Sequence, residues 1–422
     1  MSLQAPTVVV ADQRNDTLAT ALRAHDGAPL VECTWQQAAD CIGKSWPSAV
    51  IFDDPVTEPR AAFVDAIAQA LKLRPEPYLP VLSRVAPGFA PVTPNAIPVS
   101  AGANADRIAA RLASAMRVRT LHSTAFRRGE AARAAGADIA ALPDSDPLDD
   151  ATVLVTGRGR TYPELATIVG ERVGLIGSLS VESAARYLNS RELNGIFIGE
   201  GYSPPMVDAL LTALGEDARF RDLPIALLGS APVGVDLKPL PNFERFDARP
   251  IEAVQWMWPL IRLHAFEARL QRQLTAIESH GMIDPASGLF TIPTFLRELT
   301  RVIDETRGRR TPLSVARFTF TDGSDKRVDL DAARQTSRLI RSVDFACQAS
   351  DGSILLACPG TDLRAGHVVA RRIVGALKST ILTSDRNTGR VEPMLELAVH
   401  KPADTLESLL LRVSEPSQLA AE

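Results

Sequence analysis

The chain has 422 residues, about three domains at the usual ~150 residues each. Lys+Arg 46 against Asp+Glu 50, a formal net charge of -4, and 45% hydrophobic with 23% charged residues exclude a basic nucleic-acid coat, a disordered acidic chain and a fibre. No apolar run reaches the ~18 residues of a membrane span, and the opening MSLQAPTVVVADQ has neither a basic n-region nor a long apolar h-region, so a cytoplasmic protein with no membrane span and no nucleic-acid partner is expected.

In chain order, the run Val8–Val10 ends in Ala11-Asp12, a helical stretch spans about Thr17 to His25, Ala49–Phe52 ends in Asp53-Asp54, and Leu79–Leu82 ends in Ser83. Short apolar strands alternating with helical patterns read as βα units around a parallel sheet, with the chemistry at the carboxyl ends of the strands, here Asp12, Asp53 and Ser83. A basic amphipathic helix from Arg107 to about His122 closes this unit, residues 5–122. Residues 123–149 lack aromatics after Phe126 and finish in a Pro/Asp/Ser cluster, the composition of a linker.

The pattern then restarts over residues 150–272, with strands at Val153–Val155, Gly195–Ile198, Ile225–Leu228 and near Phe246, so the second unit is a weak internal repeat of the first. Its long last helix continues as a stalk, 273–281, into a third unit, 282–418. There, helices are expected over Pro293–Glu305, Asp331–Val343 and Leu363–Lys378, with strands at Ser314–Phe320, Phe345–Cys358 and Met394–Val399. Asp351-Gly352 between apolar runs predicts a type I′ hairpin. Cys33, Cys41, Cys347 and Cys358 show no C-x-x-C spacing and read as small buried hydrophobes. The six histidines have no paired metal-binding spacing, and Gly157-Arg158-Gly159-Arg160 lacks both the third glycine of a dinucleotide fingerprint and the lysine of a P-loop.

Arg341-Ser342-Val343-Asp344, ahead of the hairpin Ser350-Asp351-Gly352-Ser353, resembles the R-x-x-D segment and signature hairpin of GGDEF domains. Asp284-Pro285-Ala286-Ser287-Gly288-Leu289 resembles their D-x-L-T-G-L entry motif, and Ala248-Arg249-Pro250 the end of a response-regulator receiver. The whole is similar to diguanylate cyclases with two receivers. The fold this implies is two receiver-like domains, each a flavodoxin-like, doubly wound parallel sheet, followed by a degenerate GGDEF domain.

The resemblance also marks what is missing. Cyclase chemistry needs carboxylates that hold Mg²⁺ against triphosphates and glycines that admit the nucleotide. Ser350 and Asp351 replace the glycines, Gly352 and Ser353 replace the acids, and Arg317 stands at the family's other metal acid, where a cation repels the metal. The segment between Arg317 and Arg341 is shorter than in active relatives, and the final LAAE lacks the family's phosphate contacts. The expectation is a protein that is not an enzyme, with residual cyclase as the least favoured alternative.

The family's product-binding site is retained. A guanidinium matches the O6/N7 edge of guanine or a phosphate, and a carboxylate matches the N1–H and N2–H₂ donors. By resemblance Arg341, Asp344 and Arg372 would bind an intercalated cyclic di-GMP dimer, with Arg172 of the second unit a further candidate. In the first unit, Asp53 would be the phosphoacceptor, with Asp12 and Ser83 in support and Mg²⁺ on Asp12 and Asp53. Ala11 replaces the second acid, and no lysine lies between Lys72 and Lys238 to grip the phosphoryl group. In the second unit Thr156-Gly157 occupies the acid pair, Gly199 or Glu200 the acceptor and Arg249 the lysine. It reads as an adaptor, with Trp256 and Trp258 suited to packing.

The resulting reading is a non-catalytic cyclic di-GMP effector acting on protein partners. Non-catalytic relatives of this layout imply a cell-pole protein that recruits a proteolysis adaptor in cell-cycle control, with homodimerisation possible through the receivers. The alternative is a phosphorylation-gated scaffold that ignores the dinucleotide.

Overall fold

The computed structural model describes residues 5–26, 29–73, 78–86, 89–229, 233–247, 249–309, 311–320, 326–378, 381–384, 387–390 and 393–414. The first unit runs β1 (Thr7–Val10), α1 (Asp16–Asp26), β2 (Leu30–Cys33), α2 (Ala38–Ser45), β3 (Ala49–Phe52), α3 (Glu58–Lys72), β4 (Val81–Val85), β5 (Ile97–Ser100) and α4 (Ala105–Ala134). The second repeats this as β6 (Thr152–Thr156), α5 (Thr161–Gly170), β7 (Gly174–Ser178), α6 (Val181–Ser190), β8 (Gly195–Ile198), α7 (Pro204–Glu216), β9 (Ile225–Leu228), β10 (Phe243–Phe246) and α8 (Pro250–Glu278). β1, β3, β6, β8 and β9 are buried along their whole length. That is the signature of parallel strands covered by helices on both faces.

Both sheets are parallel and share one strand order, β2-β1-β3-β4-β5 and β7-β6-β8-β9-β10. This 2-1-3-4-5 order is one of the two common doubly wound arrangements, with its crevice at the carboxyl ends of the central strands. Sequence patterning missed the edge strands β2, β5 and β7, whose apolar runs are broken by Glu32, by Pro98, and by Gly174 and Gly177.

The third unit runs α9 (Ile292–Arg309), β11 (Leu313–Thr319), α10 (Lys326–Leu339), β12 (Phe345–Gln348), β13 (Ile354–Pro359), α11 (Leu363–Lys378), a hairpin of β14 (Ile381–Ser384) and β15 (Asn387–Arg390), β16 (Met394–Val399) and α12 (Leu406–Arg412). Its antiparallel sheet, β12-β13-β11-β16, is a βαββαβ arrangement. One face packs on α10 and α11 and the other on α9 and α12, giving two core layers. The β14–β15 hairpin lies beside β7 of the second unit.

Three expectations change. Residues 123–149 are not a linker throughout, because α4 continues to Ala134 and stops where Gly136, at φ 85°, folds the chain back onto the carbonyls of Ala132 and Arg133. Low aromatic content signalled a connector, yet the alanine-rich stretch is good helix. The 273–281 helical stalk is also shorter than expected. α8 ends at Glu278, with Gln273 and Ile277 buried, and Gly281, at φ 78°, sits where a Cβ would lie 2.3 Å from the Asp138 carbonyl.

The third change is the hairpin, which is not type I′. Ala349 pairs with Ser353, the Gly352 N–H donates to the Ala349 carbonyl, and only Gly352 has positive φ, at 84°. Type I′ needs positive φ at two residues; a three-residue loop with a left-handed glycine needs one.

α4 and α8 lie side by side in the same direction. His122 meets Phe266 edge-on at 5.3 Å, Gly129 packs on Ile277, and Arg128 pairs with Glu278. Their contact fuses units one and two into one continuous core running from Val9 to Leu270. Arg111, 1% exposed, crosses this junction to the Pro98 and Pro241 carbonyls and to Glu244 at 2.8 Å. The last helix of each doubly wound unit therefore finds its mate within the chain.

Candidate functional site

At the end of β3, Asp53 is 8% exposed and both its carboxylate oxygens are engaged. Arg84 Nε donates to Oδ1 and Asn15 Nδ2 to Oδ2, each at 2.8 Å. Arg84 also binds the Ala101 and Ala103 carbonyls, so one guanidinium ties Asp53 to the segment that follows β5. Ser83 is not the supporting hydroxyl expected. It is paired in register with Phe52, is fully buried, and its Oγ accepts the Val92 N–H at 3.1 Å. Strand alternation puts Arg84, one residue on, level with Asp53.

Asp12 is not bare either. Its backbone N–H donates to Asp54, and Arg60 pairs with Asp12 at 2.9 Å and Asp54 at 3.2 Å. Asp12 and Asp53, the acids expected to hold Mg²⁺, are thus each paired with a separate internal cation, Arg60 and Arg84. With Mg²⁺ and acetyl phosphate or beryllofluoride, Asp53 is expected to stay unmodified by intact mass and by heat of binding. Stoichiometric labelling of Asp53 would overturn this assignment.

In the second unit, Thr156 shares a 2.6 Å hydrogen bond with Tyr202, and the Arg158 and Gly159 N–H groups close on the Glu200 carbonyl. Arg249 turns to the surface and pairs with Glu252. Trp256 and Trp258 pack on the shared core.

In the third unit the structure gathers the expected ligand residues beyond the end of α10. That helix stops at Leu339 rather than Val343, so Arg341 and Asp344 do not share a helix face. They form a turn in which the Asp344 N–H donates to the Arg341 carbonyl and Asp344 Oδ2 accepts the Arg341 N–H at 3.2 Å. Asp344 is 6% exposed, while Arg341 is exposed and, among the described residues, forms no ion pair. Arg372 on α11 arrives at the same place and donates to the Leu339 carbonyl at 2.8 Å. Cys358 on β13 registers all three charges. Burial first, then the adjacent Asp344 carboxylate, push its thiol up to about 12, against the lowering effect of Arg341 and Arg372.

At the hairpin, Arg317 Nη2 lies 2.5 Å from Asp351 and its Nε 3.2 Å from Ser353 Oγ. Burial pushes the Asp351 carboxyl up, but hydrogen bonds from Ser353 and Arg317 outweigh it and hold it below the ordinary value. Asp284 caps the entry turn, accepting from Ser287 N–H and Oγ at 2.9 and 2.6 Å. The C-terminal LAAE lies outside the described residues.

Arg172 does not reach this cluster. It binds Asp146 at 2.7 Å and Asp149 at 2.9 Å, and belongs to a junction that sequence reasoning missed. There Asp150 accepts from Arg269, Arg272 and Arg334 at 2.7, 3.0 and 2.9 Å. Glu192 takes Arg272 and Arg338, and Asp331 takes Arg191 at 2.5 Å. The second unit, the connecting segment, α8 and α10 all meet here. The available signal was Arg262 and Arg269 on one helical face opposite the acids of 144–150.

A cavity of about 420 Å³ beside this junction is lined by His264, Glu267, Gln271, Arg219 and Arg338. Burial, then Asp222, push the Glu267 carboxyl up to about 7, with Arg117 partly offsetting them, while burial lowers His264 to about 4. A carboxyl raised on folding contributes stability that is complete below its unfolded value near 4.5 and is lost as pH rises through 7. Glu267→Gln should therefore stabilise the protein by roughly 1–3 kcal/mol at pH 8 and by nothing at pH 4.5. Denaturant unfolding at the two pH values tests this; an equal effect at both would rule out the titration.

No protein-family model matches the chain, and no curated protein matches it. Among solved structures, the chain is similar to the coiled coil and GGDEF domain of DgcB from Caulobacter crescentus in complex with c-di-GMP. The identity is 18%, covering 35% of this chain and 83% of that one, with a TM-score of 0.30. The FimX GGDEF domain from Pseudomonas aeruginosa matches at 12% identity, covering 32% and 89%, TM-score 0.29. The diguanylate cyclase SiaD in complex with its activator SiaC, from the same organism, matches at 18%, covering 35% and 60%, TM-score 0.31.

Proposed function

We propose that this chain is a non-catalytic effector that binds a cyclic di-GMP dimer at Arg341, Asp344 and Arg372 of a degenerate GGDEF domain, and that the two preceding units are degenerate receivers. The supporting observation is the convergence of these three residues beyond α10, around Cys358, beside an Arg317–Asp351 ion pair at the hairpin that by resemblance would carry the metal acids of a cyclase. The exposed Arg341 guanidinium presents donors to a guanine edge or a phosphate, and a carboxylate beside it presents acceptors.

α10 links this site to the rest of the chain. Its Asp331, Arg334 and Arg338 sit in the junction with Arg191, Asp150 and Glu192, and its C-terminal end carries the carbonyl that Arg372 holds. A ligand shifts a protein only by binding one arrangement better than another. Here the two arrangements are the seatings of the third unit on the second. By resemblance to PopA-type effectors, the output is recruitment of a proteolysis adaptor at the cell pole. The phosphorylation-gated alternative is disfavoured by Arg84, Asn15 and Arg60, which already take up the acids of the first unit.

Calorimetry of the full chain with cyclic di-GMP is expected to give saturable binding of two molecules per chain, and GTP with Mg²⁺ no product. Absence of binding removes the effector reading, and product formation removes the non-catalytic one.

A further inference from the structure

The internal repeat is regular enough to compare the two fused units position by position. One offset of 145 residues relates the starts of β1 and β6 (Thr7, Thr152), of α1 and α5 (Asp16, Thr161), and of α4 and α8 (Ala105, Pro250). On the second unit, the outer face of α8 is covered by an extended segment of the chain itself. Gln273 donates to the Ala140 carbonyl, Arg269 to those of Pro143 and Ser145, and Arg262 holds Asp146 through Nε and Nη2 at 2.9 and 3.0 Å. Leu148 is buried in the shared core and Leu142 packs against it. Apolar side chains with an aspartate between them are what this face takes.

The matching face of the first unit has no such cover among the described residues. It is a groove of about 500 Å³ between α1 and α4, floored by Leu22, Leu112, Met116 and Leu121, with Arg117, Thr120 and Thr124 also lining it. At the 145-residue offset Arg117 corresponds to Arg262 and Thr124 to Arg269. Asp222 takes Arg117 Nε and Nη2 and leaves Nη1, and the side chain keeps 47% exposure.

We infer that the α1–α4 groove is a docking site for an extended, acidic and apolar segment of a partner protein, bound as the chain's own residues 140–148 are bound on α8. The groove supplies an apolar floor, and Arg117, through the Nη1 that Asp222 leaves, supplies a donor for a partner acid, which sets register and partner choice. This inference does not depend on dinucleotide binding.

The test uses the full chain and a fluorescent peptide with the sequence of residues 137–150, ADIAALPDSDPLDD. The chain's own copy stays tethered on α8, so the free peptide reads the open groove. Thr120 is exposed, and its substitution leaves the core intact. Anisotropy is expected to show saturable binding, weakened about tenfold or more by Thr120→Glu through like-charge repulsion and retained or strengthened by Thr120→Lys. No binding, or binding indifferent to Thr120→Glu, overturns the proposal. So does loss on Arg262→Ala instead, which would place the peptide on the second unit. Self-association that Thr120→Glu abolishes, seen by light scattering without peptide binding, also overturns it, by making the occupant a second copy of this chain.

Discussion

Arg341→Ala is expected to weaken cyclic di-GMP binding by about one to two orders of magnitude while leaving the unfolding midpoint unchanged. A bidentate guanidinium contact to guanine is worth about 1–3 kcal/mol, and each 1.4 kcal/mol is a factor of ten. The midpoint should hold because the fold uses only the Arg341 backbone: its carbonyl accepts from Asp344 and its N–H donates to the Asp344 carboxylate. Asp344 is the wrong residue for this test. It is buried, pins the turn and interacts with Cys358, so its loss mixes folding with binding. Arg372→Ala should weaken binding too, with a small stability cost from the freed Leu339 carbonyl. Calorimetry on the wild type and Arg341→Ala decides the matter, because undiminished binding by the variant places the ligand elsewhere.

Asp150→Ala should be the most damaging substitution outside the hydrophobic cores, costing about 3–5 kcal/mol. The carboxylate is partly buried and is the shared counter-ion of Arg269, Arg272 and Arg334, so removing it leaves three guanidinium groups, each 13% exposed or less, without their common partner. The same network predicts acid sensitivity. Burial raises the carboxyls of Asp146, Asp150 and Glu192, but the surrounding arginines, together with the Leu148 N–H at Asp146, outweigh it. Asp146 is brought down to about 2 and the other two lie below their ordinary values. Carboxyls lowered on folding contribute stability that is present above their unfolded values and lost as pH falls through the folded ones. The third unit should therefore detach from the second between about pH 4 and pH 2, before the first two units separate. Asp331 runs the other way, since burial raises it in spite of Arg191. Denaturant unfolding of Asp150→Ala, and small-angle scattering of the wild type across that pH range, measure both effects. A loss under 1 kcal/mol would reduce the junction to a surface ion-pair cluster.

Much of this molecule was legible as pattern. The apolar runs at Val8–Val10, Ala49–Phe52, Gly195–Ile198 and Ile225–Leu228 stand out because parallel strands buried on both faces need no alternation. α11 and β16 have the predicted bounds, since each carries a strong local period. Arg341, Asp344, Arg372 and Arg317 were marked by the resemblance of their segments to GGDEF domains, Arg341 and Asp344 by a fixed offset from the hairpin.

The sequence by itself therefore determined the three-unit order, the repeat and the strand-rich buried segments, because each is written in neighbours along the chain. Tertiary structure alone decided how charges found partners. Arg84 reaches Asp53 across 31 positions, Arg60 reaches Asp12 across 48, Arg111 reaches Glu244 across 133, and Arg334 reaches Asp150 across 184. It also decided that Ser83 faces away from Asp53 and that Arg172 serves the junction. The physical reason is that ion pairing depends on distance in space and on burial, and a chain of alternating apolar runs fixes which faces are buried without fixing which distant charges those faces bring together.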